Sequence, residues 1–92
     1  MYETKEVVVN GIEYTLQKLP VREALKIRQK WQLGNGLTDD IVMMDECFEH
    51  IVIKPKIKLD DFDNIEDAEM LAAECIFFQY MEKKEKEKLE EV

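Results

Sequence analysis

The stretch Val7-Val8-Val9-Asn10-Gly11-Ile12-Glu13-Tyr14-Thr15-Leu16 decides the fold. Asn-Gly supplies the two positive-φ residues of a type I′ turn, and its flanks are rich in β-branched and aromatic side chains. A two-residue turn pairs Val9 with Ile12, Val7 with Tyr14 and Lys5 with Leu16, which predicts a hairpin over about 5–18. Val7, Val9, Ile12, Tyr14 and Leu16 then share one face, and Val8, Glu13, Thr15 and Gln17 take the other. An isolated hairpin is marginal in water, so the apolar face needs a cover, and the elements that follow must supply it.

After Leu19-Pro20 the apolar period changes from two to 3.6, with Pro20 placed for the first helical position. A first helix is expected over about 20–33. Val21, Ala24, Leu25, Ile27 and Trp31 form its apolar face, Arg22, Lys26, Arg28 and Lys30 its basic side, and Gly34-Asn35-Gly36 stops it. A second helix over about 38–53 starts with Thr38 as N-cap and Asp39 and Asp40 in the first turn, where the helix dipole favours negative charge. Ile41, Met44, Cys47, Phe48, Ile51 and Val52 recur along it at helical steps, and Pro55 ends it by about Ile53.

Ile53, Pro55, Ile57 and Leu59 next alternate with Lys54, Lys56 and Lys58, which reads either as a short edge strand or as a loop. Asp63 or Asn64 caps a third helix over about 64–86. This helix carries two apolar stripes. Ile65, Ala68, Leu71, Ala72, Cys75 and Phe78 make one; Met70, Ala73, Phe77, Tyr80 and Met81 make the other. A small core does not obviously cover both. Either the hairpin takes one stripe and the first two helices the other, or one stripe is a partner surface. The expected architecture is a single α+β domain, mainly helical, over residues 1–82, with the hairpin packed on three helices and a charged, frayed tail over 83–92.

The chain has 92 residues, 13 Lys+Arg against 21 Asp+Glu, and a net charge of −8. A chain of this length buries only about 60–65% of its unfolded surface, so stabilisation by self-association is an expectation. A hydrophobic fraction of 46% separates it from disordered chains of similar charge. The acidity disfavours nucleic acid and anionic membrane as partners, since both require a basic face. No apolar run reaches the ~20 residues of a membrane span, and Met1-Tyr2-Glu3-Thr4-Lys5-Glu6 lacks the form of a signal peptide, so the protein is expected to stay where it is made.

Catalytic and metal-binding patterns find little footing. There is no serine, which excludes a Ser-His nucleophile, and His50 is the single histidine. Cys47, three residues before it, reads with Cys75 as one of two buried reduced thiols. The string Asp60-Asp61-Phe62-Asp63-Asn64-Ile65-Glu66-Asp67 lacks EF-hand spacing: counted from Asp61, Glu66 stands where the turn glycine belongs and Ala72 where the twelfth-position carboxylate belongs. Helix capping accounts for the same residues. Gly34-Asn35-Gly36-Leu37-Thr38-Asp39 has the glycines of a phosphate loop without its lysine, and faces acids instead. The expectation is a non-enzymatic, protein-binding protein with no cofactor and no metal.

Charge is unevenly placed: residues 1–38 carry net +2, 39–74 net −9 and 75–92 net −1. A basic first helix and an acidic middle are two complementary patches, as head-to-tail stacking of identical subunits requires. Trp31, Phe77, Tyr80 and Met81 are the candidate partner-binding residues, each equally readable as core, with Trp31 taken as an exposed aromatic. Five methionines suit a surface that accepts irregular apolar partners.

The order of features also resembles a known family. Tyr14-Thr15-Leu16-Gln17-Lys18-Leu19-Pro20-Val21-Arg22-Glu23 ends the hairpin and opens a helix, and Ile51-Val52-Ile53-Lys54-Pro55-Lys56 leads through an acidic stretch into the last helix. Over roughly residues 6–82 this is similar to the tail assembly chaperones of long-tailed bacteriophages and of related prophages of Gram-positive bacteria. The resemblance implies an assembly factor in the host bacterial cytoplasm that binds the tape measure protein, keeps it soluble until tube subunits polymerise around it, and is absent from the mature virion. It further implies a longer frameshifted form whose added part recruits the tail tube protein. Two other classes fit the size and chemistry: a small virion adaptor of the head-tail joining type, and an acidic decoy that inhibits a host enzyme.

Overall fold

Asn10 and Gly11 adopt φ values of 51° and 80°, and the chain reverses between β1 (Thr4–Val9) and β2 (Ile12–Gln17). The computed structural model describes residues 2–81. The register is the expected one, with Val9 opposite Ile12, Val7 opposite Tyr14 and Lys5 opposite Leu16. Val7, Val9, Tyr14 and Leu16 are buried; Ile12, beside the turn and beyond the cover of the helices, is half exposed. The turn is tied down by Asn10, whose Nδ2 donates to Asp67 Oδ2 at 2.9 Å.

The helices are α1 (Val21–Trp31), α2 (Asp40–His50) and α3 (Ile65–Ile76), the last continued by a π-helical turn, Phe77–Met81. Pro20 sits at the N-cap of α1, one position before the expected one. The helix ends at Trp31, short of the glycines, because Gln32 and Thr38 form an isolated β-bridge around the Gly34-Asn35-Gly36 turn. The Asp39 N–H donates to the Trp31 carbonyl at 2.8 Å and closes that loop. Thr38 is therefore unavailable as a cap. Asp39 caps α2 in its place, its Oδ1 accepting the Val42 N–H at 3.3 Å.

Helix α2 stops at His50, earlier than the proline alone dictates, because the chain straight after it pairs as an edge strand, β3 (Val52–Lys54). The sheet order is β1-β2-β3, all antiparallel. Leu16 faces Val52 and Thr15 faces Lys54, so Ile53 is an extra residue in the ladder. With Val52 opposite the buried Leu16, Ile53 turns outward, which corrects its expected place on the apolar side of this segment. Lys56 folds back, its Nζ donating to the carbonyls of Glu49 at 2.8 Å and Val52 at 3.0 Å, which satisfies a free carbonyl in the last turn of α2. Asp61, in a 3₁₀ turn at Leu59–Asp61, accepts the Lys58 N–H at 3.0 Å. Asn64 holds the N-cap position of α3 but makes no side-chain capping bond. The expected run of α3 to residue 86 and the tail at 83–92 lie outside the described residues.

One core joins the sheet to the helices. Leu71, Cys75 and Phe78 from α3 and its continuation meet Cys47 and Phe48 of α2 and Tyr14 and Leu16 of β2, with Ile27 and Trp31 of α1 at one end. No polar or charged side chain among the described residues is buried. Several positions on the expected apolar faces stand outside the core: Val21 (74% exposed), Leu25 (41%), Ile41 (65%) and Ile65 (72%). Each lies in or next to the first turn of a helix, where the chain enters from the molecule's edge.

Gly11→Ala should cost about 1–2 kcal/mol, the penalty of a Cβ in the left-handed region, and Leu71→Ala about 2–5 kcal/mol, the range for a truncated buried leucine. Urea unfolding measures both. Cys47 and Cys75 are fully buried free thiols, so neither should react with a thiol reagent at a measurable rate until the protein unfolds.

Candidate functional site

The last turn of the described chain places the candidate residues. In the π-helical turn the backbone widens after Ile76, and successive side chains face different neighbours. Phe78 enters the core. Gln79 clamps the link between β2 and α1, accepting the Leu19 N–H at 2.7 Å and donating to the Leu19 carbonyl at 3.2 Å. Tyr80 donates its hydroxyl to the Ala24 carbonyl at 2.7 Å, meets Trp31 edge-to-face at 6.0 Å between centroids, and lies under the Arg28 guanidinium at 5.2 Å. Burial pushes the Tyr80 phenol up to about 12.

Trp31 is thus a core residue, 4% exposed, which corrects its expected exposure. It seats the end of α1 against Tyr80. Tyr80 is half-buried in the same contact. Phe77 (46% exposed) and Met81 (62%) remain on the surface, with the Lys5 Nζ 5.5 Å from the Phe77 ring centre. Of the second stripe on α3, only Tyr80 is covered; Met70, Ala73, Phe77 and Met81 stay exposed.

Phe77 and Met81 belong to an apolar groove between α2 and α3. One cleft of about 530 Å³ has walls formed by Met43 and Met44 on one side and Ala73, Ile76, Phe77 and Met81 on the other. A second, of about 370 Å³, continues it past Ile41 and Ile65 to Phe62. The two share Met44, Asp40 and Glu69, and those acids are the only charged side chains that line them among the described residues. In the sequence, Ile41 and Met44 fall on the apolar face of the second helix and Ile65 on the first stripe of the third, while Met43 and Ile76 belong to neither pattern. Apolar residues at helical spacing point inward by default. Ile41 and Ile65 escape because two helix starts lie side by side and no other described element covers them.

The chemistry-bearing residues do not converge on this groove. Cys47 and Cys75 meet in the core between α2 and α3, and the hydrogen bond with Cys47, together with burial, pushes the Cys75 thiol up. His50 lies instead beside Glu46, Nε2 to Oε1 3.3 Å, and Lys30 reaches the same carboxylate at 3.4 Å, bridging α1 to α2. Among the described residues no three His, Cys, Asp or Glu side chains are grouped to hold a metal ion. No described helix is long and apolar enough to cross a membrane. No protein-family model, curated protein or solved structure matches the chain.

Tyr80→Phe should cost about 0.5–1.5 kcal/mol at neutral pH through the lost hydrogen bond. The phenol's folded-state pKa is raised from 10.0 to about 12, so its contribution is complete below pH 10 and disappears as pH rises through about 12. Urea unfolding at about pH 9 and about pH 11.5 should therefore show the native protein losing more stability than Tyr80→Phe, with both still subject to the raised phenol of buried Tyr14.

Proposed function

We propose that the protein is a non-enzymatic tail assembly chaperone, which binds the tape measure protein and keeps its apolar helices soluble while the tail tube assembles. The observation that supports this reading best is the groove between α2 and α3. It is apolar, open to solvent along two helices, and flanked by acids. An amphipathic helix laid into such a groove buries its apolar stripe at intervals of three and four residues. Met43, Met44 and Met81 line it, and methionine accommodates partners of irregular shape, as a chaperone of many similar helical segments needs. The order of hairpin, Leu-Pro-Val-Arg-Glu helix start and Ile-Lys-Pro segment supplies the family resemblance.

In this role the protein acts in the host bacterial cytoplasm and leaves before the virion is complete. A longer frameshifted form, carrying added residues after this domain, recruits the tail tube protein.

Co-expression with the tape measure protein tests the reading. The tape measure protein should become soluble and co-purify; if it stays insoluble and unbound, the reading fails. Recovery of the protein from purified particles would replace it with a virion adaptor. Met81→Glu and Phe77→Glu, both at exposed positions, should keep the fold by circular dichroism and weaken tape-measure binding by about tenfold or more, as expected for an apolar anchor replaced by a charge.

A further inference from the structure

We propose that the open edge of β1 accepts an extended segment of another protein, basic and apolar at alternate positions, as a fourth strand of the sheet. The sheet runs β1-β2-β3, so β1 is an edge strand. The Lys18 N–H donates to the Glu3 carbonyl at 2.8 Å, and from that pair the antiparallel alternation makes Lys5, Val7 and Val9 the residues bonded to β2. Thr4, Glu6 and Val8 therefore direct their N–H and C=O groups away from β2, and no described residue takes them. All three residues are exposed. The other edge is closed to further pairing: β3 is three residues long, carries the extra residue Ile53, and runs into Pro55, which has no N–H. Strand β1 has six residues, no proline and an unbroken register, about 20 Å of ladder at 3.4 Å per residue.

Helix α3 supplies the floor for an added strand. Helix α2 lies under β3 and α3 under β1, so the flank of α3 turned away from α2 reaches beyond the edge. Asp67 meets Asn10 at the turn end of β1, and the Phe77 ring faces Lys5 towards its start, so α3 runs antiparallel below the strand. Between those ends, three and seven residues on from Asp67, stand Met70, 53% exposed, and the half-buried Glu74. Met70 seats an apolar side chain of the incoming segment. Glu74, which makes no ion pair with another described residue, receives a basic one. On the open face of the sheet, Glu6 and Glu13 are exposed beside Val8. Acids on both sides of the edge select lysine or arginine, while main-chain hydrogen bonds supply the ladder. The β1 of a second copy would instead bring a second Glu6 to the same acidic edge. Neither Met70 nor Glu74 lines the groove between α2 and α3. The edge therefore stands or fails apart from the chaperone reading.

The probe is a blocked peptide that alternates lysine with valine over the length of β1, added to the full chain and followed by binding and by amide hydrogen exchange. In the free protein the Glu6 and Val8 amides should exchange fast and those of Val7 and Val9 slowly. The peptide should bind and slow Glu6 and Val8 at least severalfold, and glutamate in place of its lysines should abolish binding. Val8→Pro removes an outward N–H without touching the bonds to β2 and should weaken binding about tenfold. Glu74→Lys, which leaves the strand intact, should weaken it severalfold and guards against a folding defect in the proline variant. A peptide that stays unbound at about 1 mM, binding that leaves Glu6 and Val8 exchanging fast, or binding indifferent to both substitutions overturns the proposal. Protection of Glu6 and Val8 that grows with protein concentration alone also overturns it, by assigning the edge to a second copy.

Discussion

A two-stranded hairpin with one apolar face is not stable in water by itself, and covering Val7, Val9, Tyr14 and Leu16 is the constraint from which the rest of the chain takes its position. Helices α2 and α3 supply Phe48, Cys47, Leu71 and Cys75 to that cover. The turn makes it specific. With Asn10 and Gly11 holding positive φ, Val9 pairs with Ile12, and a slip of one residue would turn one strand's entire apolar set toward water. The third strand extends the same face by one residue, Val52, at the cost of a bulge at Ile53.

Helix α1 is attached to this unit by different means. It buries only Ala24, Ile27 and Trp31, and much of its anchorage is polar: Gln79 on both backbone groups of Leu19, Tyr80 on the Ala24 carbonyl, Lys30 on Glu46. Several of these bonds depend on the π-helical turn, which brings Gln79 and Tyr80 to α1 while Phe78 stays in the core. The same turn leaves Phe77 and Met81 at the mouth of the groove. Anchoring α1 and presenting an apolar surface are thus two results of one local widening of the backbone, and they leave α1 with an outer face that still carries Val21 and Leu25.

The charge asymmetry acquires a location from this arrangement. The acidic middle of the chain is divided between an outer surface, the ion-pair cluster at Glu46 and the groove, where Asp40 and Glu69 flank apolar walls. Both acids are exposed and lie beside apolar side chains.

Several features were legible from residues alone. Asn10-Gly11 between β-rich flanks specified the turn, the register and, Ile12 apart, the buried face, because those follow from local dihedral preference and the period of two. The stripe Ile65, Ala68, Leu71, Ala72, Cys75, Phe78 was equally plain as one apolar face of a helix, and all of it but Ile65 is buried. What only the tertiary structure decided was which apolar residues lose their water. Trp31 went inward because the π-helical turn after α3 brings Tyr80 against it, and Ile41 and Ile65 stayed outward because two helix starts adjoin with no third described element over them. The residue that caps α2 changed from Thr38 to Asp39 once Gln32 bridged to Thr38. Periodicity states that a side chain shares a face; whether that face is covered depends on elements distant in the chain, and the groove exists only where that cover is missing.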